Sequence, residues 1–198
     1  ARRAADVLIS RGHTLEDSGQ PARALECYEQ AVRCAPGYAR AWINAGNALA
    51  ALGRFDDARA AYATAAASEQ SGPAELNRAN LELRCQRPAA AIEHYRRALA
   101  IQPGWRDAQW GLCIALQQAG AADAVHELRQ FVMANPEHGP ARVALAGMLA
   151  ADATDEAIAV LDRPPFVPDL LAKSAKLRYE RLDHREAADA LERALSLE

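Results

Sequence analysis

The sequence repeats itself along its whole length. An alanine, a tyrosine four residues on and a second alanine three beyond that occur as Ala24, Tyr28 and Ala31. The same trio returns as Ala58, Tyr62 and Ala65, and again as Ala91, Tyr95 and Ala98. Weaker copies stand at Ala124 and Leu128, at Ala157 and Leu161, and at Ala187, Leu191 and Ala194. The steps between copies are 34, 33, 33, 33 and 30 residues. A unit this short cannot bury an apolar face alone, so such a chain must stack like units on one another.

Each copy contains two stretches with apolar residues at helical spacing. A turn separates them: Ser18 to Pro21, Gly53 to Asp56, and Gln86 to Pro88. Pro21 and Pro88 suit a first helical turn, where the missing N–H has no partner in any case. Pro36, Pro103 and Pro136 punctuate the ends of second helices, because proline cannot continue a helix. Alanine dominates and aromatic residues make up only 6% of the chain, which favours thin, closely spaced helices.

Charge and composition exclude several functions. The formal net charge is −3, without the basic stripe that nucleic acid or an acidic membrane surface requires. No apolar run is long enough to span a membrane, and the chain is expected to be cytoplasmic. There are 21 arginines against two lysines, Lys173 and Lys176, a bias read as that of a GC-rich bacterial genome. Cys27, Cys34, Cys85 and Cys113 form no CxxC pair and have no histidine at zinc spacing; all four are expected as reduced core or near-core thiols. Five scattered histidines and six serines provide neither HExxH nor GxSxG, and no phosphate loop is present. The expectation is therefore a chain with no catalytic residues, no metal and no cofactor. It begins at Ala1 already in a helical pattern and reads as a piece of a longer protein; Leu197-Glu198 reads as native sequence or a cloning remnant.

The residues resemble the tetratricopeptide repeat family, whose pattern is W-x2-L-G-x2-Y, then A-x3-F, then P, over 34 residues. The second copy supplies Trp42, Ala45, Gly46, Leu49, Ala58 and Tyr62, with Gln70 at the proline position. The first supplies Leu8, Gly12, Leu15, Ala24, Tyr28 and Pro36, with Arg11 in place of the leucine. The resemblance implies an all-α, right-handed superhelical solenoid of about six antiparallel helix-turn-helix repeats. These cover 5–38, 39–71, 72–104, 105–137, 138–167 and 168–198 as a single array. Gly12 and Gly46, with Ala24, Ala58 and Ala91, are expected to let paired helices approach. Tyr28, Tyr62 and Tyr95 are expected to fill the wedge between neighbouring hairpins.

The match weakens along the chain. In a gapless register Arg78 and Glu82 fall on apolar positions of the third copy, and Phe131 replaces a small alanine in the fourth. The stretch 163–169 holds three prolines and is expected to be a stiff loop rather than helix interior.

The resemblance also implies that first helices line a concave groove that holds a protein or extended peptide. The groove residues are then Ser10, His13, Arg40, Asn44, Asn47, Asn77, Asn80, Arg84, Arg106 and Trp110, with Asp17, Gln117, Arg142, Lys173 and Lys176 on the same face. The pair Asn44/Asn47 recurs as Asn77/Asn80. An asparagine carries both a donor and an acceptor, so it can hold a peptide backbone without reading side chains. This pair is similar to the asparagine ladder of O-GlcNAc-transferase-like proteins, which implies as an alternative the substrate-recognition arm of a larger glycosyltransferase. A second use for the asparagines is to cap contacts within the array. A chaperone-type carboxylate clamp is not expected, since Ile9 and His13 stand where it needs a lysine. Trp105 and Trp110 serve either packing between repeats or a binding hot spot.

Overall fold

A computed structural model describes residues 1–69 and 71–197. Gln70, at the proline position of the second copy, and Glu198 lie outside the described residues. Among the described residues there are twelve helices and no strand. The first seven are α1 (Arg2–Asp17), α2 (Pro21–Cys34), α3 (Ala39–Ala51), α4 (Phe55–Glu69), α5 (Gly72–Arg84), α6 (Pro88–Ile101) and α7 (Arg106–Ala119). The remaining five are α8 (Ala124–Ala134), α9 (Gly139–Leu149), α10 (Thr154–Leu161), α11 (Pro168–Glu180) and α12 (His184–Leu195).

The chain forms two compact units, Ala1–Ala119 and Gly120–Glu198. In the first, α1 packs on α2, α3 on α4 and α5 on α6, and each second helix packs on the next first helix, ending with α6 on α7. In the second, α9 packs on α10 and α11 on α12, with α8 against α9 and α10 against α11. Contacts run between neighbours in sequence, as expected of stacked hairpins.

The turn inside a hairpin is built the same way in four places. The N–H of Gln20 bonds the carbonyl of Leu15, Arg54 that of Leu49, Arg87 that of Glu82, and Asp183 that of Arg178. Each is the six-to-one bond that closes a helix C-terminus around one left-handed residue. That residue is Gly19 or Gly53 in the first two hairpins, at φ 71° and 77°, but Gln86 and Leu182 in the third and sixth. A side chain there costs about 1–2 kcal/mol. The turn geometry therefore outlasts the glycine that marks it in sequence.

Helix pairing rests on small residues. Ala24, Ala58 and Ala91 are fully buried in α2, α4 and α6. A Cβ on Gly12 would lie 2.2 Å from Cε1 of Tyr28, and one on Gly46 would lie 2.4 Å from Cε1 of Tyr62. These two rings thus lie on the glycine of their own hairpin, not only in the wedge between hairpins. Tyr95 differs, because the third copy has Ala79 where Gly46 stands in the second. Its ring reaches across to α7, where a Cβ on Gly111 would lie 2.4 Å from Cε1.

The second unit contains a correction. Arg142, expected on the groove face, is buried in α9. Its guanidinium donates to the carbonyls of Val160 (3.0 Å), Leu161 (2.7 Å) and Pro165 (2.9 Å), and also to that of Arg163. These are the end of α10 and the proline-rich connection after it. Helix-end carbonyls have no partner in their own helix, and here one arginine supplies the donors. The connection is shorter than expected, since Pro168 and Asp169 already belong to α11, with the proline in its first turn. The thiols also need correcting: Cys27 and Cys113 are buried and Cys85 half-buried, but Cys34 is exposed at the end of α2.

Two stability predictions result. Gly46→Val should destabilise the first unit by about 3 kcal/mol, since overpacking adds to loss of the tyrosine contact; Gly37→Ala, where a Cβ meets nothing within 4 Å, should leave the urea midpoint unchanged. Arg142→Met keeps apolar volume but strands the carbonyls, and should cost the second unit about 3–5 kcal/mol. Limited proteolysis should then cut between Asp162 and Val167 much faster than in the unmodified chain.

Candidate functional site

One polar cleft gathers four of the expected groove residues. Asn47 from α3 and Asn77, Asn80 and Arg84 from α5 line it, over a floor that includes the buried Ala50 and Leu81, with a volume of about 260 Å³. The helical spacing of Asn77, Asn80 and Arg84 puts them on one face of α5. The opposite face of the helix holds it in register with buried carboxylates. Glu75 receives the Nδ1–H of His94 at 2.8 Å, and Glu82 receives Nε–H of Arg59 at 2.6 Å. The gapless register of the third copy is therefore the one the structure adopts: Glu82 is buried where Leu49 is buried in the second copy. Sequence patterning marked Glu82 as a misfit because its partner Arg59 lies 23 residues away.

The asparagines face both inward and outward. Tyr62 donates its hydroxyl to Oδ1 of Asn47 at 2.8 Å, and Nδ2 of Asn77 donates to the same oxygen at 3.1 Å. Tyr95 donates to Oδ1 of Asn80 at 2.5 Å. Burial pushes the Tyr62 phenol up to about 12, with Arg84 pulling the other way, and pushes Tyr95 up to about 12. Both hydroxyls therefore remain donors near neutral pH. In these bonds Oδ1 of Asn47 and of Asn80 faces its tyrosine, which leaves each Nδ2 outside the pair. Asn77 is reversed, with Nδ2 used inside and Oδ1 left outward. The outward set is two amide donors, one carbonyl acceptor and the Arg84 guanidinium. Arg84 is lightly held, 3.5 Å from the Ala50 carbonyl and 5.2 Å above the Phe55 ring.

One step earlier the same relation recurs. His13 of α1 bonds Oδ1 of Asn44 in α3 at 3.2 Å, as Asn47 bonds Asn77 thirty residues on. Asn44 also donates to the Arg40 carbonyl at 3.0 Å. It is thus held on both sides and offers less to a ligand than Asn47. Arg40 is exposed and 3.7 Å from Asp6, and Ser10 is exposed on α1. Arg106 is exposed at the start of α7 and Trp110 half-buried within it; neither lines the cleft. Trp105 lies toward the start of α5, with Cζ3 3.4 Å from where a Gly72 Cβ would sit, which is packing. Sequence reading assigned Tyr62 and Tyr95 to packing alone and missed their orienting bonds. The signal was available: each tyrosine stands 15 residues after the asparagine it bonds.

Comparison with known proteins agrees with this architecture. The tetratricopeptide repeat family matches residues 9–75 and 45–104, so the repeats of this stretch are tetratricopeptide repeats. No curated protein matches it in sequence. Among solved structures it is similar to a tetratricopeptide repeat protein from Parabacteroides merdae, with TM-score 0.72 and 18% identity over 98% of this chain and 80% of that one. It is also similar to YrrB, a tetratricopeptide repeat protein with an unusual peptide-binding site, with TM-score 0.65 and 19% identity over 92% and 89% of the two chains. A third is the first repeat domain of Spaghetti bound to an HSP90 peptide, with TM-score 0.57 and 22% identity, covering 61% of this chain and 97% of that one. At these identities the likeness is one of fold, the all-α superhelical repeat. Among the described residues no group of three or more His, Cys, Asp or Glu could hold a metal ion, and no helix is long and apolar enough to cross a membrane.

His94 makes the support of α5 sensitive to acid. Burial lowers its pKa below 6.5, as do Arg78 and Arg97, against the bond to Glu75. Above pH 6.5 the ring is neutral both folded and unfolded. As pH falls below 6.5 the unfolded chain takes up the proton first, so stability falls until the folded pKa is reached. Between about pH 7.5 and about pH 5.5, the urea midpoint of the unmodified chain should drop more than that of His94→Gln.

Proposed function

We propose that the chain is a non-enzymatic scaffold that binds an extended segment of another protein on its first-helix face, in the cleft between α3 and α5. The observation that carries this reading is the outward set on Asn47, Asn77 and Asn80. An extended backbone offers carbonyls and N–H groups in alternation. Two amide donors and one amide acceptor held at fixed orientation complement that alternation without selecting side chains. The internal bonds of the same amides support the reading, because a side chain already ordered loses less entropy on binding. Arg84 adds a cation beside the cleft, and Ser10, His13, Arg40, Asn44, Arg106 and Trp110 would flank the bound segment. The six repeats would act as one array, and the fold's use for peptide binding in YrrB and Spaghetti agrees with the class of partner.

The test is a photocrosslinking residue at Ala51, an exposed residue lining the cleft, used to capture the bound segment. Asn47→Ala, Asn77→Ala and Asn80→Ala together should weaken its affinity about tenfold or more, at about 0.5–1.5 kcal/mol per hydrogen bond. N-methylation of alternate peptide bonds in the captured segment should do the same. Unchanged affinity on both counts would remove the backbone-reading cleft.

A further inference from the structure

The second unit has a cleft at the matching place, and its chemistry is different. Aligning Ala91 with Ala187 sets Lys173 on Asn77, Lys176 on Asn80 and Leu177 on Leu81. Aligning Ala58 with Ala157 sets Ala146 on Asn47 and Leu161 on Tyr62. Every polar group that orders the first cleft is thus replaced. The floor here is apolar, formed by Val143 and Ala146 of α9, Ala150 just after it, Leu161 of α10 and Leu177 of α11. The rim carries Lys173 and Lys176, the only lysines in the chain, with Glu180 beside them. The cleft has a volume of about 200 Å³.

We infer that this cleft binds an acidic, apolar peptide segment, seating one or two apolar side chains on the floor and pairing flanking carboxylates with Lys173 and Lys176. Three features support that occupant. The two ammonium groups stand three residues apart on one helix face, so each raises the other's demand for an anion. Lys176 has a nearby carboxylate, Glu180 at 3.8 Å, but both side chains are largely exposed, at 77% and 57%. Exposed pairs of this kind are weak and exchange readily. The volume suits a leucine or phenylalanine side chain and falls below the roughly 300–1,000 Å³ of clefts that enclose a whole small molecule. The first cleft would read backbone and the second would read apolar side chains and negative charge. The inference concerns residues of the second unit alone and does not depend on the asparagine cleft.

The probe is a fluorescein-labelled peptide of alternating leucine and glutamate, titrated into the full chain by anisotropy. Expected is saturable binding that weakens with salt and falls about tenfold or more in Lys173→Glu, Lys176→Glu. The leucine–lysine mirror and an alanine–glutamate version should each bind far more weakly. Carbodiimide coupling should join peptide carboxylates to Lys173 or Lys176, a readout that needs no variant. Lysine-to-alanine changes at these exposed positions, checked by circular dichroism, serve as a second pair of variants. Equal binding of the leucine–glutamate peptide and its lysine mirror would overturn the proposal. So would unchanged affinity in the charge-reversed variant, or coupling that spares both lysines. Loss of this peptide in the Asn47→Ala, Asn77→Ala, Asn80→Ala chain, with the lysines intact, would seat it in the other cleft and overturn it as well.

Discussion

The contact between a tyrosine ring of a second helix and a glycine of a first helix governs much of the first unit. Tyr28 lies on Gly12 and Tyr62 on Gly46, closer than any Cβ would permit. The contact brings each helix pair together and leaves the tyrosine hydroxyl at the edge of the first-helix face. There the hydroxyl becomes functional: Tyr62 orders Asn47. A single residue type thus joins hairpin packing to the orientation of a candidate ligand-binding amide. Where the glycine is lost, at Ala79, the ring of Tyr95 turns to Gly111 of the next hairpin yet still bonds Asn80. The packing partner changes and the polar end is kept.

The third hairpin shows a different way of filling a core. Apolar positions of the repeat are given to Glu75 and Glu82, both buried. A buried carboxylate is costly unless it is paired and hydrogen-bonded. His94 and Arg59 provide those bonds, and Arg87 stands 3.9 Å from the second oxygen of Glu82. The arrangement makes the helix that carries Asn77, Asn80 and Arg84 dependent on charge and on pH. The second unit solves its own irregularity likewise. One buried arginine, Arg142, bonds carbonyls that the shortened α10 and the proline-rich connection leave unpaired.

The repeat period, the helix pairs, the family and the small residues at the helix crossings could all be read from the sequence. They follow from local chemistry: a 3.6-residue period, proline at helix starts and alanine or glycine where backbones approach. The asparagine pairs were also visible, because they recur at the repeat step. Tertiary structure alone decided how each amide is turned, since that depends on a tyrosine hydroxyl from the second helix. It decided that Glu75 and Glu82 are core residues with partners, and that Arg142 points inward and not to the groove. It also placed the two lysines over an apolar floor, where the sequence shows only two cations three residues apart. In each case the deciding contact joins residues far apart in the chain, and helical periodicity carries no information about such pairs.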